Sequence, residues 1–166
     1  AFDIQEEVVG RPFRDLRSDL FEEFDNIFTT QSFWVDGREA VGEFVVDEGI
    51  AAPALLNLFD NAVDACVEDR NKPSHRITFR ARGDEGGVTF EIQDDGVGMS
   101  TDTRDKIFDL FFSSKGRAGT GLGLFIARQA IRQHGGDIEV DSEPGRGSCF
   151  RVRWPRVLPK SDPGVP

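Results

Sequence analysis

Tyrosine is missing altogether, and methionine occurs only once, as Met99. Residue 1 is thus not an initiator, and the chain is expected to be a piece of a longer polypeptide rather than one with a processed start. Cysteine is scarce. Cys66 and Cys149 lie too far apart for a local metal pair and are too few for a disulfide framework, so a reduced, cytoplasmic setting is expected. Basic residues are outnumbered, 20 against 30 acidic ones, for a formal net charge of -10. That balance argues against a nucleic-acid partner, whose phosphates need clustered Lys and Arg, and makes the acidic surface a solubility feature. No apolar run approaches a membrane span and no signal peptide opens the chain; anchoring of the parent protein is left open.

The most informative shortage is local. From Leu110 to Gly136 there is no Asp or Glu at all, while Lys115, Arg117, Arg128 and Arg132 fall inside the gap. Gly116, Gly119, Gly121, Gly123 and Gly135 flank or open a helix there. Glycine lets backbone N–H groups approach an anion closely, and a helix N-terminus adds unpaired donors and a partial positive charge. Keeping carboxylates away from such a loop suits a bound phosphate, so the chain reads as built around a nucleotide.

The 166 residues, 38% of them hydrophobic and 15 of them Phe, suit one domain with its own core. Phe13, Leu16, Leu20, Phe24, Ile27 and Phe28 recur at helical spacing over 12–30. Short strands are expected at 33–36 and 43–47, and a second helix with Pro53 in its first turn running to about Asp69. Alternation predicts a hairpin of Arg76–Arg82 and Val88–Ile92, a third helix over 122–134 stopped by Gly135-Gly136, and strands 137–142 and 148–154. Helices interspersed with antiparallel hairpins predict an α+β two-layer sandwich.

Four clusters carry chemistry. Asn57 and Asn61 are four apart on the second helix, share a face, and with Asp60 and Asp64 offer oxygen ligands to Mg²⁺; equally, they could only decorate a solvated face. Asp94-Asp95-Gly96-Val97-Gly98-Met99 ends a strand in a Gly-x-Gly bend, and an acceptor-only carboxylate there suits the exocyclic amine of adenine; an ordinary turn has the same composition. Lys106–Lys115 is aromatic before it is basic, which would pin the start of a loop to the core and leave Lys115 to reach a terminal phosphate. Gly119-Thr120-Gly121-Leu122-Gly123-Leu124 turns into the third helix.

In this order and spacing the clusters resemble the N, G1, F and G2 boxes of the GHKL ATPase superfamily, most closely the catalytic ATP-binding domain of two-component sensor histidine kinases. Gly145-x-Gly147-Ser148-x-Phe150 is similar to that family's closing strand, and the likeness covers about Phe13 to Pro155. It implies the GHKL (Bergerat) fold, a mixed, mostly antiparallel sheet against three helices. On that basis residues 1–12 would link to a preceding dimerisation and phosphoacceptor domain, 13–157 would form the ATP-binding domain, and 158–166 a disordered tail. The resemblance implies that Asp94 takes the adenine amine, with Gly96 and Gly98 around the base and Ser148 supporting Asp94. It implies that Asn61 holds Mg²⁺ with help from Asn57, and that Gly119, Thr120, Gly121, Leu122 and Gly123 wrap the phosphates. Phe112 would border the nucleotide, and Lys115 would act from the lid.

Departures refine this reading. Hydrolysing relatives carry Glu at the position of Asn57; an amide cannot take a proton, so rapid ATP hydrolysis is not expected. Asp64 stands where many sensor kinases have Lys or Arg. The only histidines, His75 and His134, lack an acceptor-like context and are expected at the surface or at a helix end. The implied function is Mg-ATP binding and transfer of the γ-phosphoryl group to a histidine on a dimerisation domain of the same parent, a homodimer, with a response-regulator receiver domain downstream. The alternatives are another GHKL branch, such as an anti-sigma-type serine kinase, or a non-catalytic nucleotide switch.

Overall fold

The computed structural model describes residues 2–7, 34–35, 38–39, 48–113 and 121–156. Its strands are β1 (Phe2–Glu7), β2 (Trp34–Val35), β3 (Arg38–Glu39), β4 (Arg76–Asp84), β5 (Gly87–Asp94), β6 (Asp137–Glu143) and β7 (Gly147–Pro155), and its helices are α1 (Glu48–Glu68), α2 (Thr101–Arg104) and α3 (Gly123–Gln133). Five strands form one sheet in the order β1-β4-β5-β7-β6, and β2 pairs with β3 apart from it. Every pairing among the described residues is antiparallel, as befits the mostly antiparallel sheet expected.

The sheet's two faces follow from period-two alternation. Ile77, Phe79 and Ala81 of β4, Val88, Phe90 and Ile92 of β5, and Phe150, Val152 and Trp154 of β7 are all buried. Ladder pairs stack them: Phe79 opposite Ile92, Phe90 opposite Val152 and Val88 opposite Trp154. Phe90 meets the Trp154 ring edge-on at 5.7 Å between centroids. Burying one such side chain is worth about 1.5–3 kcal/mol. On the other face Arg80 pairs with Glu91 at 2.7 Å, Glu91 with Arg151 at 3.0 Å, and Arg151 with Asp141, so charge crosses four strands.

Helix α1 closes the inner face with Ala51, Leu55, Leu58, Phe59, Ala62, Val63 and Cys66, spaced as one helical stripe. It starts earlier than expected: Pro53 is its sixth residue, exposed, and not in the first turn. Gly49–Glu68 is also long and apolar enough to cross a membrane by length and composition, contrary to the sequence reading, but half of that window is buried inside the fold. Helix α3 ends as predicted. Gly135 adopts φ +68°, Gly136 N–H donates to Ile131 O at 3.0 Å and Gly135 N–H to Arg132 O at 3.0 Å, a Schellman closure.

Residues 2–7, expected within a linker, form β1 against β4. The second short strand is Arg38–Glu39, immediately after the Asp36-Gly37 pair. The helix expected over 12–30, the strand at 43–47, the lid residues Lys115, Gly119 and Thr120, and the tail from 158 lie outside the described residues.

Candidate nucleotide-binding site

The alternation that builds the core also makes the site. Val88, Phe90, Ile92 and Asp94 occupy successive inward positions of β5, so its last core-facing residue is a carboxylate, opposite Ile77. Asp94 is only 3% exposed, and burial pushes its carboxyl up to about 6 even though two backbone amides work against it. Those amides, Gly96 N–H at 2.9 Å and Ser148 N–H at 3.3 Å, both donate to Oδ1. Oδ2 takes no hydrogen bond among the described residues, and Asp94 lines a cavity of about 340 Å³.

A second stripe on α1, Asn61, Asp64, Ala65 and Glu68, forms one wall of that cavity, with Val97, Gly98 and Met99 on another. The Gly-x-Gly bend is stitched between helix and sheet. Val97 N–H donates to Ala65 O at 3.1 Å and Gly145 N–H to Val97 O at 2.7 Å. A Cβ on Gly96 would lie 2.4 Å from the Ala65 carbonyl carbon; on Gly98, which sits at φ +64°, it would lie 1.9 Å from Glu143 O. Gly98→Ala is therefore expected to cost roughly 3 kcal/mol from backbone strain and overpacking together. Urea denaturation checks this, and a midpoint equal to that of the parent would mean that the bend relaxes freely.

The two asparagines sit one helical turn apart, and the contact between them runs to the Asn57 backbone, not to its side chain. Asn61 Nδ2 donates to Asn57 O at 2.7 Å, which leaves Oδ1, the atom able to ligate a cation, to a residue on the cavity wall. Asn57 stands behind it: its Oδ1 is 3.5 Å from where a Gly123 Cβ would be, so α1 and the start of α3 touch there. Gly121 and Gly123 line the cavity. Leu122 is the α3 N-cap, forms no side-chain cap, and no acid follows in the first turn. The positive end of α3 is thus uncompensated by its own side chains.

The aromatic run divides. Ile107 is buried, and Phe108 and Phe112 pack on the core, with Phe112 on the cavity wall and Phe108 edge-on to Phe150 at 6.4 Å. Leu110 and Phe111 are exposed instead, and Phe111 holds φ +64° beside Gly121, whose carbonyl accepts its N–H at 3.2 Å.

Two residues answer differently from their sequence reading. The Ser148 hydroxyl lies 3.0 Å from Ser142 Oγ, so Ser148 supports Asp94 through its backbone amide. Ser142 was not singled out in the sequence, yet its hydroxyl accepts from Met99 N–H at 2.8 Å and donates to Gly147 O at 2.9 Å. His134 caps α3 as expected, but His75 is buried, 8% exposed, and not at the surface.

The fold is of α+β type, with a cavity that a buried carboxylate and a helix N-terminus both face. Residues 46–158 match the family described as histidine kinase-, DNA gyrase B- and HSP90-like ATPase, and the chain belongs to that family. Within it the chain is a catalytic domain of the sensor histidine kinase kind. The methanogenesis regulatory histidine kinase FilI of Methanothrix harundinacea is 39% identical over 111 residues, 66% of this chain and 12% of that protein. Sensor histidine kinase ZraS of Escherichia coli is 33% identical over 127 residues, 76% of this chain and 26% of ZraS. The chain thus spans only 12% and 26% of the length of these two relatives. The mycobacterial sensor histidine kinase MprB superposes with a TM-score of 0.61 at 25% identity, covering 90% of this chain and 97% of that one. The catalytic domain of histidine kinase ThkA shares the fold at the same TM-score, with 22% identity and 92% and 98% coverage. Domains of this family bind ATP, and sensor histidine kinases imply a two-component partner.

Proposed function

We propose that the domain binds Mg-ATP in this cavity and passes the γ-phosphoryl group to a histidine on a separate dimerisation domain of its parent, in the cytoplasm, with a response-regulator receiver domain as the next acceptor. The observation that carries the reading is Asp94: a carboxylate at a core position, one oxygen tied by two amides and the other left to a donor in the cavity. Adenine's exocyclic amine is such a donor; Gly98 lines the cavity beside it, and Gly96 lets the bend pack against the α1 backbone. Gly121, Gly123 and the α3 N-terminus, with Leu122 at its cap, would hold phosphate by amides and dipole. Gly119, Thr120 and Lys115 would complete that cradle.

Asn61, backed by Asn57, would hold Mg²⁺, and its free Oδ1 fits a hard cation that takes oxygen ligands. The ion would neutralise charge between the phosphates. The chain's own residues then act by positioning: Asn57 offers no base to activate water, which favours an incoming imidazole as nucleophile over hydrolysis. The test supplies labelled ATP with and without a helical hairpin carrying an acceptor histidine. Acid-labile label is expected on the hairpin only. Alone, the domain should label neither His75, whose ring nitrogens lie 3.1 Å from Asp95 Oδ1 and 3.0 Å from Asp69 O, nor His134. Acid-stable label on serine would favour the other GHKL branch.

A further inference from the structure

Behind the Gly-x-Gly bend, three side chains of metal-ligating type converge. Cys66 near the end of α1, His75 just before β4 and Asp95 just after β5 each place one ligand atom within 4.8 Å of the others. Cys66 and His75 are buried, while the Asp95 side chain is 43% exposed. A second, polar cavity of about 380 Å³, lined by His75 and Asp95 among others, opens onto the cluster and gives an ion a way in.

The hydrogen bonding around His75 leaves a gap that a cation would fill. Nε2 lies 3.0 Å from the backbone carbonyl of Asp69, which can only accept, so Nε2 carries the proton. A neutral ring then turns the Nδ1 lone pair toward Asp95 Oδ1, 3.1 Å away, an oxygen that also accepts the Arg76 N–H at 2.9 Å and keeps a second lone pair toward the ring. Two lone pairs face each other unless a proton or a metal ion lies between them. Two ligands at about 2.0 Å from a tetrahedral ion are roughly 3.3 Å apart, close to the separation found. A ring nitrogen facing the ion, with its partner N–H on a backbone carbonyl, is also how metal-binding histidines are oriented.

We propose that Cys66 Sγ, His75 Nδ1 and Asp95 Oδ1 form a binding site for a divalent late transition-metal ion, Zn²⁺ by ligand type, that ties the end of α1 to the nucleotide loop. Thiolate, imidazole and carboxylate are a borderline-soft set that favours zinc over magnesium or calcium. Binding releases the Cys66 proton. Lys72 stands beside the site, donating to Asp95 O and 3.9 Å from Asp95 Oδ2. The dication, one thiolate and one carboxylate are together neutral, one unit more positive than the metal-free thiol and carboxylate, and Lys72 keeps its bond to the Asp95 carbonyl. Asp69, 3.8 Å from Lys72 Nζ, orients His75 through its carbonyl and stays outside the ligand set.

The experiment is a Co²⁺ titration of the tag-free chain without nucleotide, followed by displacement with Zn²⁺. Equimolar uptake is expected, with a thiolate-to-cobalt charge-transfer band in the near ultraviolet that Zn²⁺ abolishes. The band should vanish in Cys66→Ser and persist in Cys149→Ser. His75→Ala should weaken Co²⁺ binding by about 100-fold or more, since changing even an outer partner of a metal ligand costs 10–100-fold. Circular dichroism verifies that each variant is folded, and the titration of the unsubstituted chain needs no variant at all. No uptake of either ion at millimolar concentration, a cobalt complex without the sulfur band, or a band that survives Cys66→Ser overturns the site.

Discussion

Asp94→Asn is expected to reduce ATP and ADP affinity by about 100-fold or more while leaving the unliganded fold intact. The amide is nearly isosteric, and its oxygen can still accept from the amides of Gly96 and Ser148, which both meet Oδ1. Keeping those two bonds turns the NH₂ toward the cavity, where the adenine amine is also a donor. A hydrogen bond to a charged acceptor, worth about 1.5–3 kcal/mol, is then replaced by two donors facing each other. Stability should move the other way or not at all, because burial already disfavours the ionised carboxylate at neutral pH and an amide carries no charge to bury. Calorimetry with ADP and thermal unfolding without it, on the same samples, separate the two effects. Unchanged ADP affinity removes Asp94 from the adenine site; lost affinity with a collapsed melting temperature makes it a structural residue.

Asn61→Ala should have the second large effect, on phosphotransfer. The side chain is bound to Asn57 O through its nitrogen and lies on a polar stripe at the cavity wall, so its loss opens no core void. Phosphotransfer to a supplied acceptor hairpin should fall by about 100-fold, in line with the loss of a metal-held, charge-neutralised transition state. The melting temperature should shift little, by the amount of one exposed-side hydrogen bond, about 1 kcal/mol or less. A wild-type transfer rate would reduce the asparagine pair to surface decoration.

Much of this was legible in the chain because it is local. The i, i+4 spacing of Asn57 and Asn61, the alternation over β4 and β5, and the Gly135-Gly136 stop each need only a few neighbouring residues to take effect. Extending the asparagine face beyond Asp64 by one more turn would also have found Ala65 and Glu68, and counting the β5 alternation onward from Val88 would have put Asp94 on the core side. What stayed hidden depends on distant partners. Ser142 matters because β6 brings it beside Met99, and the Ser148 hydroxyl is diverted from Asp94 by that same Ser142. His75 is buried because Asp69 and Asp95, six and twenty residues away, close over its ring. Propensity put Pro53 near a helix start, but the packing of Ala51 and Ala52 against the core carries α1 back to Glu48.

Strand β7 is the last to be synthesised among those described, yet it lies between β5 and β6, not at an edge. Until it emerges from the ribosome, β5 has an open side, Asp94 lacks the Ser148 amide, and the bend at Gly98 has no β6–β7 turn to rest on. A nascent or prematurely terminated chain that stops before Gly147 therefore presents α1 with its asparagines but without the partners that hold Asp94 and the Gly98 bend. On the proposed reading, nucleotide binding then depends on the last of the described strands, and a product truncated before it should not take up ATP.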